Sequence, residues 1–288
     1  MTLVTTRELL DGAVAAGRGL AALNVIHLES AEAIAAAAEE TGQGVVLQIS
    51  QNCVRYHGSL ARIAAAARAV AETSSAPLSL HLDHAEDADL VDEALAGGLS
   101  SVMYDGSSLP YPQNVATTRA IVEAAAAHEV LVEAELGEVG GKDGVHAPGV
   151  RTDPAEAARF VSETGVHALA VAVGSSHAMT TKSAEVDVEL VGRLAAAVPV
   201  PLVLHGSSGV PEANLAAAIR AGMRKVNVST QLVDAFTAAV RRRLTEDPHL
   251  VDSRKYLRAG REALTAEAIA VIRLVTTAAR PAGPGAPR

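Results

Sequence analysis

Eight short apolar runs, often β-branched, recur along the 288-residue chain: Ala21–Ile26, Val45–Ser50, Leu78–Asp83, Ser101–Asp105, Leu131–Leu136, Ala168–Gly174, Pro201–Gly206 and Lys225–Thr230. Between them lie Ala-rich stretches of helical period, such as Ser30–Glu40, Ser59–Thr73, Asp87–Ala96, Val115–His128, Pro154–Thr164 and Pro211–Ala221. A strand that reaches the next strand through a helix must cross over, so the alternation implies parallel strands. Eight such units over roughly 250 residues fit a closed (β/α)8 TIM barrel. The rival is a doubly wound open sheet, which usually places a Gly-rich turn after its first strand. Here the first strand leads into Asn24-Val25-Ile26-His27-Leu28-Glu29, without a glycine. No linker splits the chain. Residues 1–277 are expected to form one barrel domain with a C-terminal helical extension. Residues 278–288, with three Pro and two Gly, are expected to be a frayed tail.

Composition narrows the class. Apolar residues make up 49% and aromatics only 2%, with no Trp, so the core must be built from Ala, Val, Leu and Ile. A net charge of −9 argues against a general binder of nucleic acid or anionic membrane. The single cysteine, Cys53, cannot form an internal disulfide and suits a reducing cytoplasm. No uninterrupted apolar stretch reaches about 18 residues. Arg7, Glu8 and Asp11 occupy the place where an export signal needs an apolar core. A cytoplasmic enzyme is expected.

In a barrel of this kind the chemistry gathers at the C-terminal ends of the strands. Those ends are polar almost throughout: Asn24, Ser50, Asp83-His84, Asp105, Glu133 with Glu135, Ser175-Ser176-His177, His205 through Gly209, and Asn227 through Thr230. His84, His177 and His205 sit on three different tips, a set that would hold a zinc ion (Zn2+) with one position open. Glu135 or Asp105 would supply an oxygen ligand or orient a ligand. Asp83 neighbours a ligand without having to be one, which suits a proton-transferring carboxylate. His81, on the same strand face, would support it; the other histidines read as packing residues. Gly206–Gly209 and Asn227–Thr230 resemble an anion cradle, in which glycines expose backbone N–H groups and hydroxyls add donors at helix starts. The Gly-rich stretch Gly137–Asp153 has the length of a lid.

Together these stretches resemble the class II, zinc-dependent ketose-bisphosphate aldolases, in their tagatose-/fructose-bisphosphate branch. The matching motifs are His81-Leu82-Asp83-His84, Ser101 through Ser107, Val132 through Gly137, Val171 through His177, Leu202 through Gly209 and Val226 through Thr230, in order along residues 1 to 275. The resemblance implies reversible cleavage of a phosphorylated ketose to dihydroxyacetone phosphate and an aldehyde, through a zinc-stabilised enediolate. It implies that His84, His177 and His205 hold the zinc and that Asp83 moves the proton at the hydroxyl beside the breaking bond. Asp105 and Glu135 match positions of an alternative or second metal. Asn24, Ser50, Ala178, Gly206, Ser207, Ser208, Asn227, Val228, Ser229 and Thr230 match substrate contacts. Arg254 matches an arginine that reaches the distal phosphate, often across a dimer contact; its other reading is a solvated charge at a helix start. A monovalent cation (Na+ or K+) and a homodimer or homotetramer also follow from the resemblance.

Three departures stand out. The family's Gly after the second zinc histidine is Ala178 here. The lid glutamate expected after a Gly-Gly pair is absent: Gly140-Gly141 is followed by Lys142-Asp143, so Asp143 is the candidate to replace it, with Glu138 as a further choice. The second strand runs into Gln51 through His57, unlike the usual loop, and Arg55 or His57 could read a different aldehyde. Fructose 1,6-bisphosphate, tagatose 1,6-bisphosphate and keto-acid phosphates stay open as substrates. A metal-dependent hydrolase on the same barrel is the alternative, but it usually places His-x-His on strand one, where this chain has only His27. A sugar-phosphate-binding regulator is the third reading.

Overall fold

The computed structural model describes residues 2–136, 151–177, 179 and 181–279. Parallel strands β1 (Leu20–Asn24), β2 (Val45–Ser50), β3 (Leu78–Ala85), β4 (Ser101–Tyr104), β5 (Leu131–Leu136), β6 (Ala168–Val171), β7 (Leu202–Leu204) and β8 (Met223–Val228) close a barrel in sequence order. β1 pairs with β8 to complete it, with Ala22 opposite Asn227. Helix α1 (Thr6–Ala15) precedes the first strand and α2 (Leu28–Thr41) follows it. α3 (Gln51–His57) and α4 (Leu60–Thr73) follow β2, and α5 (Ala88–Ala96), α6 (Tyr111–Ala126), α7 (Pro154–Thr164), α8 (Val188–Ala197) and α9 (Glu212–Ala221) link the later strands. α10 (Thr230–Glu246) and α11 (Ser253–Thr277) extend the barrel after β8. Among the described residues no helix is long and apolar enough to cross a membrane.

Local chemistry sets the helix ends. Thr5 and Glu8 form a capping box on α1, and Asp153 caps α7 just ahead of Pro154. Gly42, Gly58 and Gly165 end α2, α3 and α7 in the left-handed conformation. Two strands are shorter than expected. β6 ends at Val171 rather than at Gly174, because Ala172 bonds with Thr152 and the Val173 carbonyl accepts from the Asp187 N–H instead of a neighbouring strand. β7 ends at Leu204 ahead of Gly206, whose φ of 65° leaves the extended region. The segment expected as a loop after β2 is instead the short helix α3, begun by the Ser50 hydroxyl accepting from the Cys53 N–H.

Strand alternation sorts the side chains into two cores. Outward residues such as Leu23, Leu47, Leu80, Leu82 and Val132 pack under the helices in a core of Ala, Val, Leu and Ile. Inward residues fill the barrel, and their character changes along the strands. At the floor, Leu20, Ala22, Val46, Met103, Leu131, Ala168, Ala170 and Val203 form an apolar cluster, which α1 plugs with Leu10 and Ala13. Full burial of a side chain such as Leu10 contributes about 1.5–3 kcal/mol. One or two inward steps further up lie Asn24, Gln48, His81, Asp83, Glu133, Glu135 and Asn227, all buried. The apolar floor fixes the barrel; the polar upper layers make the site.

Candidate functional site

Asp83 and His84 are sequence neighbours, so regular alternation would send them to opposite faces of β3. His84 escapes this because its φ is 50° and the pairing of β3 with β4 shifts register between Leu82 and Ala85. A left-handed non-glycine residue costs about 1–3 kcal/mol and clusters at functional sites. The irregularity brings the His84 ring to 4.5 Å from that of His205 and 4.9 Å from that of His177. Both residues therefore serve one cavity.

Four side chains form a group suited to a metal ion. One ligand-type atom from each of His84, Glu135, His177 and His205 lies within 4.8 Å of the others. They come from β3, β5, the segment after β6 and the end of β7. His84 Nδ1 donates to Asp105 Oδ2 at 2.9 Å, which leaves Nε2 as its other ring nitrogen. His205 Nε2 donates to Glu133 Oε1 at 3.0 Å. The remaining His205 nitrogen, Nδ1, lies 3.3 Å from Glu135 Oε2 and is buried without a hydrogen bond. A buried polar nitrogen left so is costly in a folded protein, and a cation, either a proton or a metal ion, between the imidazole and the carboxylate would satisfy it. Burial draws the His205 imidazole down, but its close contacts with Glu133 and Glu135, and the charges of both, push it up to about 9. The field that welcomes a proton there also welcomes a metal. Nitrogen and carboxylate donors of this kind suit zinc among other divalent ions. Asp105, expected as a ligand or an orienting partner, lies outside the group of four and holds His84.

Two residues to which the sequence analysis assigns no role complete the layer below. Lys225, 1% exposed, donates to Glu133 Oε2 at 2.8 Å and to Asn227 Oδ1 at 2.9 Å. With its oxygen turned to the lysine, Asn227 directs Nδ2 to Asp83 Oδ1 at 3.1 Å. One ammonium thus orients His205 through Glu133 and Asp83 through Asn227. Burial would raise the Asp83 carboxyl, but the fields of His84, His205, Lys225 and His81 outweigh it and hold it below its usual range. Burial likewise opposes ionisation of Glu133, yet Lys225 keeps it far below the ordinary carboxylate value. His81 donates or accepts at Ser101 Oγ, 2.8 Å away, and burial with Lys225 nearby lowers it to about 3, so it stays neutral. The signal for Lys225 and Glu133 was their place on the inward face, in step with Asn227 and Glu135.

Above the group opens a cavity of about 280 Å³, lined by Asn24, Ser50, Asp83, His84, His177, Gly206, Ser207, Ser208, Asn227, Ser229 and Thr230, together with Gln51, Asn52, Arg55 and Glu86 from α3 and the end of β3. Gly206 has no room for a side chain: a Cβ there would stand 2.5 Å from the Ser176 carbonyl carbon. Ser207 Oγ donates to the Asn227 carbonyl at 2.5 Å and ties the two polar segments together. α10 starts at Thr230 without a cap from the Ser229 side chain; its Gln231 N–H donates to Ser208 Oγ at 3.3 Å, so the positive end of the helix adjoins the cavity wall, where an anion is favoured. Val228, by alternation, is buried in the outer core and does not line the cavity. Arg254 lies on the surface at the start of α11, clamped by Asp252 at 2.9 and 3.0 Å, and does not line this chain's own cavity. Arg55 lines it, whereas His57 is turned away to the Ile26 carbonyl at 2.7 Å. Asp143, Ala178 and Glu138 lie outside the described residues. The near end of the expected lid is anchored by Thr152, whose hydroxyl donates to the Leu136 carbonyl at 2.8 Å.

Comparison with known proteins agrees with this geometry. The family profile of class-II fructose-bisphosphate aldolase matches residues 4–280. The YdjI aldolase from Escherichia coli K12 superposes with a TM-score of 0.83 at 30% identity, covering 95% of this chain and 97% of its own. A protein assigned provisionally as a fructose-1,6-bisphosphate aldolase, from Coccidioides immitis, gives 0.84 at 28% identity, covering 94% and 95%. The fructose-bisphosphate aldolase of Campylobacter jejuni shares the fold, with a TM-score of 0.80 at 20% identity over 95% of both chains.

Proposed function

Since the chain belongs to the class II fructose-bisphosphate aldolase family, we propose that it is a zinc-dependent aldolase that reversibly cleaves a phosphorylated ketose into dihydroxyacetone phosphate and an aldehyde. The observation that carries this reading is the convergence of His84, Glu135, His177 and His205 within 4.8 Å, with His84, His177 and Asp83 lining one cavity. Bound zinc would supply Lewis-acid polarisation of the ketone carbonyl, drawing electrons from the breaking carbon–carbon bond. Among the described residues no lysine lines the cavity, and Lys225 is buried under Glu133 and Asn227, so an amine that could form a Schiff base is not at hand there.

The protein's own groups then have distinct tasks. Asp83 is held ionised and aimed by Asn227, so it accepts the proton of the hydroxyl beside the breaking bond and returns it in the reverse direction. Gly206, Ser207, Ser208, Ser229 and Thr230 receive the phosphate of the dihydroxyacetone half, through backbone N–H groups and hydroxyls. Asn24 and Ser50 hold the hydroxyls between phosphate and aldehyde. A homodimer or homotetramer belongs to the same reading, because Arg254 cannot serve its own chain's cavity and would need a second copy. The test is a panel of phosphorylated ketoses, including fructose and tagatose 1,6-bisphosphates, in a coupled assay for dihydroxyacetone phosphate. Release from at least one, lost on chelation and restored by zinc, is expected. Full activity after complete metal removal would overturn the metal mechanism.

A further inference from the structure

We propose that Arg55 is the specificity-determining residue for the aldehyde half of the substrate, and that it selects an aldehyde bearing a terminal anionic group. This rests on the aldolase reading of the same cavity. Among the described residues that line the cavity, Arg55 is the one lysine or arginine. The dihydroxyacetone phosphate side at β7 and β8 is served by glycine N–H groups, hydroxyls and a helix start. Arg55 stands on α3 after β2, three strand positions round the barrel from β7. Asp83, His84, His177 and the β7 and β8 segments line the same cavity as Arg55, so a ketose held by its phosphate at β7 and β8 meets Arg55 as the cation available to its other end.

The guanidinium is oriented there without being used up. Its Nη1 donates to Asn52 Oδ1 at 3.2 Å, and its Nη2 lies 3.7 Å from Glu86 Oε2. Glu86 is itself held by Gln51, whose side-chain Oε1 accepts from the Glu86 N–H at 3.0 Å. Gln51 and Ser50 thus fix the start of α3, while Asn52 and Glu86 fix the arginine one turn on. An arginine has five N–H donors in a planar fork that matches a carboxylate or a phosphate, and these two contacts leave donors for a ligand. The Arg55 side chain is 64% exposed, so it meets solvent until a substrate arrives. His57, two residues on, is engaged with the Ile26 carbonyl and takes no part.

The test compares three ketose 1-phosphates that share the dihydroxyacetone half: one with a neutral tail, one with a terminal phosphate and one with a terminal carboxylate. The zinc-loaded wild-type protein is expected to favour an anionic tail in kcat/KM. In Arg55→Ala the ratio of kcat/KM between anionic and neutral tails should fall about ten- to hundredfold, the effect of losing a charged hydrogen bond. Arg55→Lys should recover part of it, keeping the charge but not the fork. The two anionic arms show whether phosphate or carboxylate is the better match. Calorimetric binding of the same three compounds gives the same comparison without turnover. A wild-type protein with no preference for an anionic tail, or an Arg55→Ala ratio equal to the wild-type ratio, overturns the proposal. If no compound releases dihydroxyacetone phosphate, the aldolase reading fails, and the binding comparison still decides the role of Arg55.

Discussion

Replacing Lys225 by Met should destabilise the fold severely and disable the site at once. The side chain is nearly isosteric, so the change removes a charge and three donors rather than volume. Lys225 Nζ and Glu133 Oε2 are 2.8 Å apart with almost no exposure on either side. At an effective dielectric of about 20, that attraction is about 6 kcal/mol. Some of it returns, because Glu133 keeps its bond to His205 and can take up a proton. Breaking a buried pair by removing one partner typically costs about 3–5 kcal/mol, and a loss of that size is expected here. The assay is equilibrium urea unfolding of the metal-free protein at neutral pH, wild type against Lys225→Met. The double variant Lys225→Met with Glu133→Gln, which leaves no buried charge, should recover at least half of the loss while activity stays low, since Asn227 no longer has its ammonium. A single-variant loss below about 1 kcal/mol, or a double variant no better than the single one, would refute the claim that the ammonium holds Glu133 as a buried, paired carboxylate.

Other expected outcomes follow from particular contacts. Asp105→Asn should weaken zinc binding by about ten- to a hundredfold in a competition titration, the usual effect of losing the partner that orients a ligand, whereas His205→Ala should abolish tight binding. Gly206→Ala places a Cβ against Ser176 at φ 65°, and should cost at least about 1–3 kcal/mol in unfolding while raising KM for any phosphorylated substrate. His81 is kept neutral, with its folded value lowered to about 3. The unfolded chain therefore binds the extra proton below about 6.5, and stability falls as pH drops. Wild type minus His81→Gln in urea titrations should show this as a slope approaching about 1.4 kcal/mol per pH unit below that point, and parallel curves would contradict it.

Much of this was legible in the sequence because two periods write themselves plainly. The eight apolar runs each coincide with a strand, and Val45–Ser50 and Leu131–Leu136 keep their ends. The polar tips announced the cavity because side chains at the mouth have no apolar floor to cover. What escaped lies where one backbone angle overrules the pattern. His84 reaches the metal group only through a left-handed φ that no residue type signals. Helix α3 was hidden because seven residues are too few to show a period, although Ser50 and Gly58 stand where an N-cap and a C-cap belong. Lys225 had no visible role, and Glu133 counted only as one of the polar strand ends, until the closed barrel brought β5 and β8 face to face across its lumen.

The proposed mechanism divides the labour between the metal group and Asp83. It is tested most directly by measuring zinc content and dihydroxyacetone phosphate release on the same samples of wild type and Asp83→Ala. About one zinc per chain is expected in both proteins, with cleavage at least about a hundredfold slower in the variant, the usual effect of losing a general acid–base. Cleavage at the wild-type rate by Asp83→Ala, or loss of its zinc, would contradict it.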